Sequence, residues 1–185
     1  ADRNHNTSDL ATFAAENSIK SANIDKETLD YIIVAHNFGE IDANSNNYIA
    51  LPSLASLVKH KLGIENPNCV AYDLIFGCPG WVEGVIQYSA YIKTGMAKKC
   101  LVIGADTLSR TVDSNDRDSM IFADGAGASI IEESSESGGI LSHKTVTHAG
   151  KEALYLFADR SYNPESESKI KHIKMNGRKV YEFAI

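Results

Sequence analysis

The sequence predicts an α/β protein, a sheet with helices packed on both faces. Short apolar, β-branched runs fall at Tyr31–Ala35, Cys69–Phe76 and Cys100–Gly104. Segments with apolar residues at helical spacing fill the intervals between them, and proline and glycine stand where those segments would begin and end. Strands alternating with helices give this architecture because each buried strand needs a cover on either side. The 185 residues are the length of one ordinary domain, with enough chain to bury roughly two-thirds of its unfolded surface. A content of 43% hydrophobic and 23% charged residues is that of a folded globular chain. No apolar run approaches the ~20 residues of a membrane span, which excludes a transmembrane protein. Lys and Arg number 18 against 24 Asp and Glu, a net charge of −6. That balance argues against nucleic acid or an anionic membrane as the main partner.

The opening, ADRNHNTSDLA, has no Met, no apolar signal core and no strand pattern. Asn6-Thr7-Ser8 is formally a glycosylation sequon, without a secretory signal to expose it. A helix is expected from Ser8 to about Ala22, with Ser8 as N-cap, Asp9 in the first turn, and Leu10/Ala14 and Ala11/Ala15 at i,i+4 spacing. Tyr31–Ala35 reads as a buried strand. His36 closes it before a polar loop from Asn37 to Asn47, where a histidine reads as a hydrogen-bonded loop residue rather than a ligand or base. Pro52 suits the first position of a second helix, with Leu54, Val58 and Leu62 on its face and Gly63 as its stop. Cys69–Phe76 reads as a second buried strand. A third helix starts at Pro79, packs Val82, Val85, Ile86, Ser89 and Ala90, and ends at Gly95. Cys100–Gly104 is the third strand. A charged loop holding Asp113, Asp116, Arg117 and Asp118 leads to a strand over Ala126–Ile131 and a polar turn over Glu132–Gly139. Weaker patterns predict strands near 140–147, a polar loop over Asn163–Lys171, and the opening of a helix near 178–185.

Three cysteines, odd in number and without CxxC spacing, argue against a disulfide framework or a zinc site and for a reducing compartment. The six histidines form no HExxH motif, and none stands at ligand spacing from a cysteine. The most informative segment is Asp73-Leu-Ile-Phe-Gly-Cys78-Pro79-Gly80-Trp81. An apolar strand runs into a cysteine and a helix begins at once. Free backbone N–H groups and the positive end of the helix dipole favour negative charge at that sulfur. A thiol held on a rigid turn and reached from one side is a good nucleophile. The competing reading is a buried structural cysteine, the common fate of free Cys. Cys69 and Cys100 lie inside strand patterns, and for them the structural reading prevails.

The ordered set TSDLA, LDYIIVAHN, LPSLASLVKHKLGI, AYDLIFGCPGWVEGV, YIKTG, LVIGADTLSR, DRDSMIFADGAGASII and NGRKVYEFAI resembles the 3-oxoacyl-[acyl-carrier-protein] synthase III family, condensing enzymes of the thiolase superfamily. The match runs over nearly the whole chain. It implies a thiolase-like fold, N-terminal half, with a mixed sheet and helices on both faces, lacking the first strand and the C-terminal half. Residues 1–150 would form the half-domain carrying the nucleophile, and 151–185 a connecting segment and the start of the second half. The cysteine that follows this family's strand accepts the acyl group, and Cys78 occupies that position. Arg117 matches an arginine that stacks on the adenine of coenzyme A, a task suited to a planar, always-charged guanidinium; a solvated surface arginine is the alternative. Leu51, before Pro52-Ser53, matches an apolar residue that reaches across a dimer to line the partner's acyl pocket. Phe122-Ala123-Asp124-Gly125-Ala126-Gly127-Ala128 matches a glycine-rich hairpin expected to pack its backbone closely under the active site. It is not a dinucleotide loop, because it precedes a strand instead of joining strand to helix. Asp113-Ser-Asn115-Asp116 lacks the glycine and terminal Glu of a calcium loop.

The chain also departs from the family pattern. Pro79 stands where relatives have Ser or Ala, and Trp81 where most have Phe, so the acyl channel beside Cys78 is expected to be reshaped. The loop over Asn37–Asn47 is longer than in the family. The His and Asn that support condensation in this family come from its second half and have no counterpart here, so these residues alone would complete only the first half-reaction. The resemblance implies an acyltransferase of fatty acid biosynthesis with no cofactor, acyl-CoA and malonyl-ACP as substrates, and acyl carrier protein as partner. It also implies a homodimer through the strand 70–76 and a cytoplasmic location. The competing readings are a non-catalytic or decayed paralogue acting as a partner subunit, a specialised secondary-metabolite synthase, and a Cys hydrolase using one of the histidines.

Overall fold

The computed structural model describes residues 2, 4–42, 44, 45, 47–136 and 138–185. Positions 1 and 3 of the opening, 43 and 46 of the expected loop, and 137 of the polar turn lie outside the described residues. The chain forms two compact units, one from residues 1–106 and 125–144, the other from 107–124 and 145–185.

The first unit holds the sheet. Helix α1 spans Thr7–Ala22 and starts before Ser8, because Asn6 and Asp9 close its N-terminus: the Asn6 N–H donates to Asp9 Oδ2 at 2.8 Å. Ser8 is therefore not the cap. It is buried, and its N–H and Oγ donate to the two carboxylate oxygens of buried Glu40 at 2.8 Å each. Strand β1 (Tyr31–His36) takes in His36 as its last residue. The expected loop after it carries a small antiparallel pair, β2 (Glu40–Ile41) and β3 (Tyr48–Ile49). Helix α2 (Leu54–Lys61) is capped by Ser53, whose Oγ accepts from the Ser56 N–H at 3.2 Å, so Pro52 precedes the helix rather than opening it. Gly63 ends that helix at φ +61°, where a left-handed backbone favours glycine.

Strand β4 (Val70–Ile75), helix α3 (Gly80–Lys93), strand β5 (Lys99–Thr107) and strand β6 (Asp124–Glu132) follow, all in the first unit but for the terminal residues Thr107 and Asp124. The sheet order is β4-β1-β5-β6. β1 runs parallel to both neighbours, pairing Tyr31 with Val70 and with Cys100. The Glu133 N–H donates to the Lys98 carbonyl at 2.9 Å, setting the end of β6 beside the start of β5, so that pair is antiparallel and the sheet is mixed. The strand period of two sorts the core. Ile32, Val34, Leu101 and Ile103 face Ala11 and Ala15 of α1 and Leu54, Ala55 and Val58 of α2. Ile33, Cys100 and Val102 face the other way, with Tyr88 of α3 and Ala97. Each fully buried Ile, Leu or Val contributes roughly 1.5–3 kcal/mol, which is why the helices settle on both faces.

Two further expectations for this unit are corrected. β4 is not a buried strand: it pairs only with β1, lies at the sheet edge, and exposes Val70 and Ile75 at its ends. The buried face of α3 is Gly80, Gly84 and Tyr88, while Val82 and Ala90 are exposed. A Cβ added to Gly80 would stand 2.9 Å from Ala35 Cβ, and one added to Gly84 2.8 Å from Val102 Cγ1. The helix thus sits too close to the sheet for larger residues at these positions.

The second unit contains short 3-10 turns at Leu108–Arg110, Arg117–Ile121 and Lys151–Leu154, and an antiparallel pair of strands, β7 (Leu156–Asp159) and β8 (His172–Met175). Helix α4 (Gly177–Ala184) begins where the sequence places a helix, with Asn176 Oδ1 accepting from the Lys179 N–H at 3.2 Å. Residues 140–147 contain no strand; β7 and β8 were not predicted because they are short and their residues largely exposed or charged. Lys174 on β8 is buried, 2.6 Å from Asp113 Oδ2 and 3.4 Å from Asp116 Oδ2, with its ammonium 3.5 Å from the centre of the Tyr162 ring. Burial opposes ionisation of Asp113. The Lys174 ammonium, the N–H groups of Tyr162 and Asn115 and the Ser161 hydroxyl outweigh it and hold the carboxyl far below the ordinary range.

Candidate active site

Cys78 stands in the turn that joins β4 to α3, and it is the exposed thiol of the three cysteines. Pro79 is the N-cap of α3 and Gly80 its first residue, so the proline lies one place earlier than the sequence suggests. Burial pushes the Cys69 and Cys100 thiols up, which keeps them protonated and inert. The turn is fastened at both ends. The Phe76 N–H donates to the His36 carbonyl at 3.2 Å, and the Gly80 N–H to the Gly77 carbonyl at 2.7 Å.

Three consecutive residues at the end of β1 support this turn. Ala35 lies under Gly80, His36 accepts from Phe76, and a Cβ added to Gly77 would stand 2.3 Å from Asn37 Oδ1. Asn37 is itself held by Asp106 in β5. Its N–H donates to both carboxylate oxygens at 3.1 Å, its Nδ2 to Oδ2 at 2.8 Å, and the Phe38 N–H to Oδ1 at 3.3 Å. A carboxylate only accepts, so this contact fixes which end of the amide faces Asp106 and which faces Gly77. The sequence signals neither residue. Both are polar positions at or just beyond the C-terminal ends of parallel strands, where sites of open α/β sheets gather.

His36 is not a loop residue. It is buried in β1 with Nε2 3.1 Å from Asp73 Oδ2. Asp73 also accepts the Leu54 and Ala55 N–H groups at 2.8 and 2.7 Å, at the N-terminus of α2. Burial resists ionisation of Asp73, but the imidazole and the two N–H donors together lower its carboxyl below the usual value.

Trp81, 40% exposed, lines an open hollow of about 370 Å³ with Gly104, Gly127, Ala128 and Ser129. The expected tight packing of the glycine-rich segment is not found: a Cβ at Gly125 or Gly127 would meet nothing within 4 Å. Leu51 is 83% exposed, in the segment leading to α2. Arg117 and Phe122 belong to the second unit, Arg117 with its side chain in solvent and 3.8 Å from Asp118, Phe122 half-buried. Among the described residues no group of three or more His, Cys, Asp or Glu could hold a metal ion, and no helix is long and apolar enough to cross a membrane.

Residues 72–149 match the sequence profile of 3-oxoacyl-[acyl-carrier-protein] synthase III. The β-ketoacyl-[acyl-carrier-protein] synthase III of Clostridium acetobutylicum is 38% identical over 186 residues, covering 98% of this chain and 54% of that protein. Over nearly its whole length the chain is similar to about half of a 3-oxoacyl-[acyl-carrier-protein] synthase III sequence. The family's Neisseria meningitidis serogroup B member is likewise 38% identical, over 100% of this chain and 55% of its own length. The crystal structure of the family's Aquifex aeolicus member superposes with a TM-score of 0.81 at 30% identity, covering 97% of this chain and 52% of that one. The Thermus thermophilus member gives 0.75 at 33% identity, over 100% and 54%. The fold is therefore thiolase-like, and the chain spans about half the length of the curated relatives it matches.

Proposed function

We propose that this chain carries the acyl-accepting part of a condensing enzyme of fatty acid biosynthesis, with Cys78 as the nucleophile. The observation that carries the reading is an exposed thiol fixed at the junction of β4 and the first turn of α3, in a chain whose relatives are named as synthases of this type. The Cys78 thiolate attacks the thioester carbonyl of acyl-CoA. The carbonyl–sulfur bond to coenzyme A breaks, the coenzyme A thiolate leaves, and the acyl group stays on Cys78. Malonyl-ACP then loses CO₂, its carbanion attacks the acyl-Cys carbonyl, and 3-oxoacyl-ACP departs as the Cys78 thiolate is released. The Cys78 backbone N–H stabilises the oxyanion of the first step. Arg117 is proposed to stack on the adenine of coenzyme A. Leu51, Trp81 and Phe122 are proposed to shape the acyl channel, and no cofactor is invoked. Residues 1–150 would be the nucleophile-bearing half-domain and 151–185 the lead into a second half.

Acyl carrier protein is the proposed macromolecular partner. A homodimer through residues 70–76 is supported by the place of β4 at the sheet edge. Free cysteines without a disulfide support a cytoplasmic site of action. Incubating the purified chain with acyl-CoA of several lengths and weighing it by mass spectrometry tests the core of the reading. An acyl adduct is expected on the native protein and none on Cys78→Ala; absence of any adduct across all lengths refutes acyl transfer.

A further inference from the structure

We infer that Asn37, locked by Asp106, is a positioning residue for Cys78. The inference rests on the reading of Cys78 as nucleophile and adds a residue to that site. The geometry has three parts. First, the Asn37 side chain has one orientation, because Nδ2 must donate to the Asp106 carboxylate at 2.8 Å while the Asn37 backbone N–H donates to the same group. Second, the opposite end of that amide abuts the residue before the nucleophile so closely that a Cβ at Gly77 would lie 2.3 Å from Oδ1 and 3.2 Å from Cγ. Third, the preceding two residues of β1 touch the same turn, His36 through its carbonyl to Phe76 and Ala35 through its Cβ beneath Gly80. The turn from Phe76 to Gly80 is thus braced along its length by one strand end. Asn37 is a side-chain brace that a second strand holds in place, through Asp106.

A nucleophile displaced by about 1 Å loses on the order of a hundredfold in rate, so the brace acts on the direction in which Sγ and the adjoining N–H groups point. It does not touch the acyl group itself. Gly77 is required because the amide occupies the space a side chain would need.

The test is a double-mutant cycle on the purified chain, following acylation of Cys78 in a single turnover by mass spectrometry. Asn37→Ala is expected to slow acylation about tenfold or more, with the half-saturating acyl-CoA concentration within about twofold of wild type. Gly77→Ala is expected to do the same by pushing the amide off Asp106. The double variant Asn37→Ala/Gly77→Ala is expected to be no slower than either single one, since the clash disappears with the amide. An Asn37→Ala rate within twofold of wild type overturns the inference, as do single losses that simply multiply in the double variant. Should Asn37→Ala fail to fold by circular dichroism, Asp106→Asn removes the lock but keeps a polar group of the same size, and the same slowing is expected of it. If the wild-type chain takes no acyl group, the acyl-transfer reading fails on its own. The positioning inference is then decided by the rate of Cys78 alkylation with iodoacetamide, where a change of about threefold or more in Asn37→Ala sustains it and an unchanged rate overturns it.

Discussion

Asp73 shows how a single carboxylate can serve fold and site at once. It sits in β4, five residues before Cys78, and receives two N–H groups from the first turn of α2 while lying against the buried imidazole of His36. Replacing it with Ala leaves those donors without an acceptor, at a cost of about 1–3 kcal/mol. Its carboxyl is lowered in the folded chain, so its contribution is complete above the ordinary carboxylate range and fades as pH falls through that range toward the lower folded value. The gap in urea midpoint between wild type and Asp73→Ala should therefore be largest near pH 7 and narrow as pH falls below the ordinary carboxylate range; a gap that does not change with pH contradicts the assignment. At this scale the sequence was informative about Cys78, because a strand, a cysteine and a helix start are adjacent in the chain. It was silent about Asn37 and Asp106, which meet across 69 positions. His36 was misjudged for the same reason: its partner Asp73 lies on a strand that only folding brings alongside.

The elements were legible where one periodicity decides them. β1, β5 and the extent of α1 follow from apolar runs and i,i+4 repeats. The face of α3 was legible only in part: Val85 packs against the core as its spacing predicts, but periodicity weighs Val82 above glycine, whereas close contact with the sheet requires Gly80 and Gly84. β4 reads as buried by its apolar content and is an edge by topology. An edge strand with exposed Val70 and Ile75 has unpaired backbone groups along one side. Pairing with the same strand of a second copy would satisfy them and extend the sheet across a two-fold axis. Sedimentation equilibrium is expected to give twice the chain mass of 20.1 kDa at micromolar concentration; a monomer mass over the whole accessible range removes this proposal.

For the whole molecule, the α/β class and the helices on both faces were recoverable from the residues themselves, and the mixed sheet was implied by the resemblance. The second unit gathers around a buried lysine, Lys174, whose partners Asp113 and Asp116 lie in what reads as a charged loop about sixty positions earlier and Tyr162 just ahead of what reads as a polar loop. No apolar pattern announces a cluster of that kind. The distribution of sulfur has a practical consequence. With Cys69 and Cys100 sealed in the two cores and Cys78 in solvent, a chromogenic disulfide reagent should find one fast thiol in the native chain and three in denaturant. Two native thiols that react as fast as the first would contradict that burial. The difference of two equivalents makes the unmodified chain its own folding gauge: the slow release of colour times the opening of the sheet, while the first equivalent counts nucleophiles.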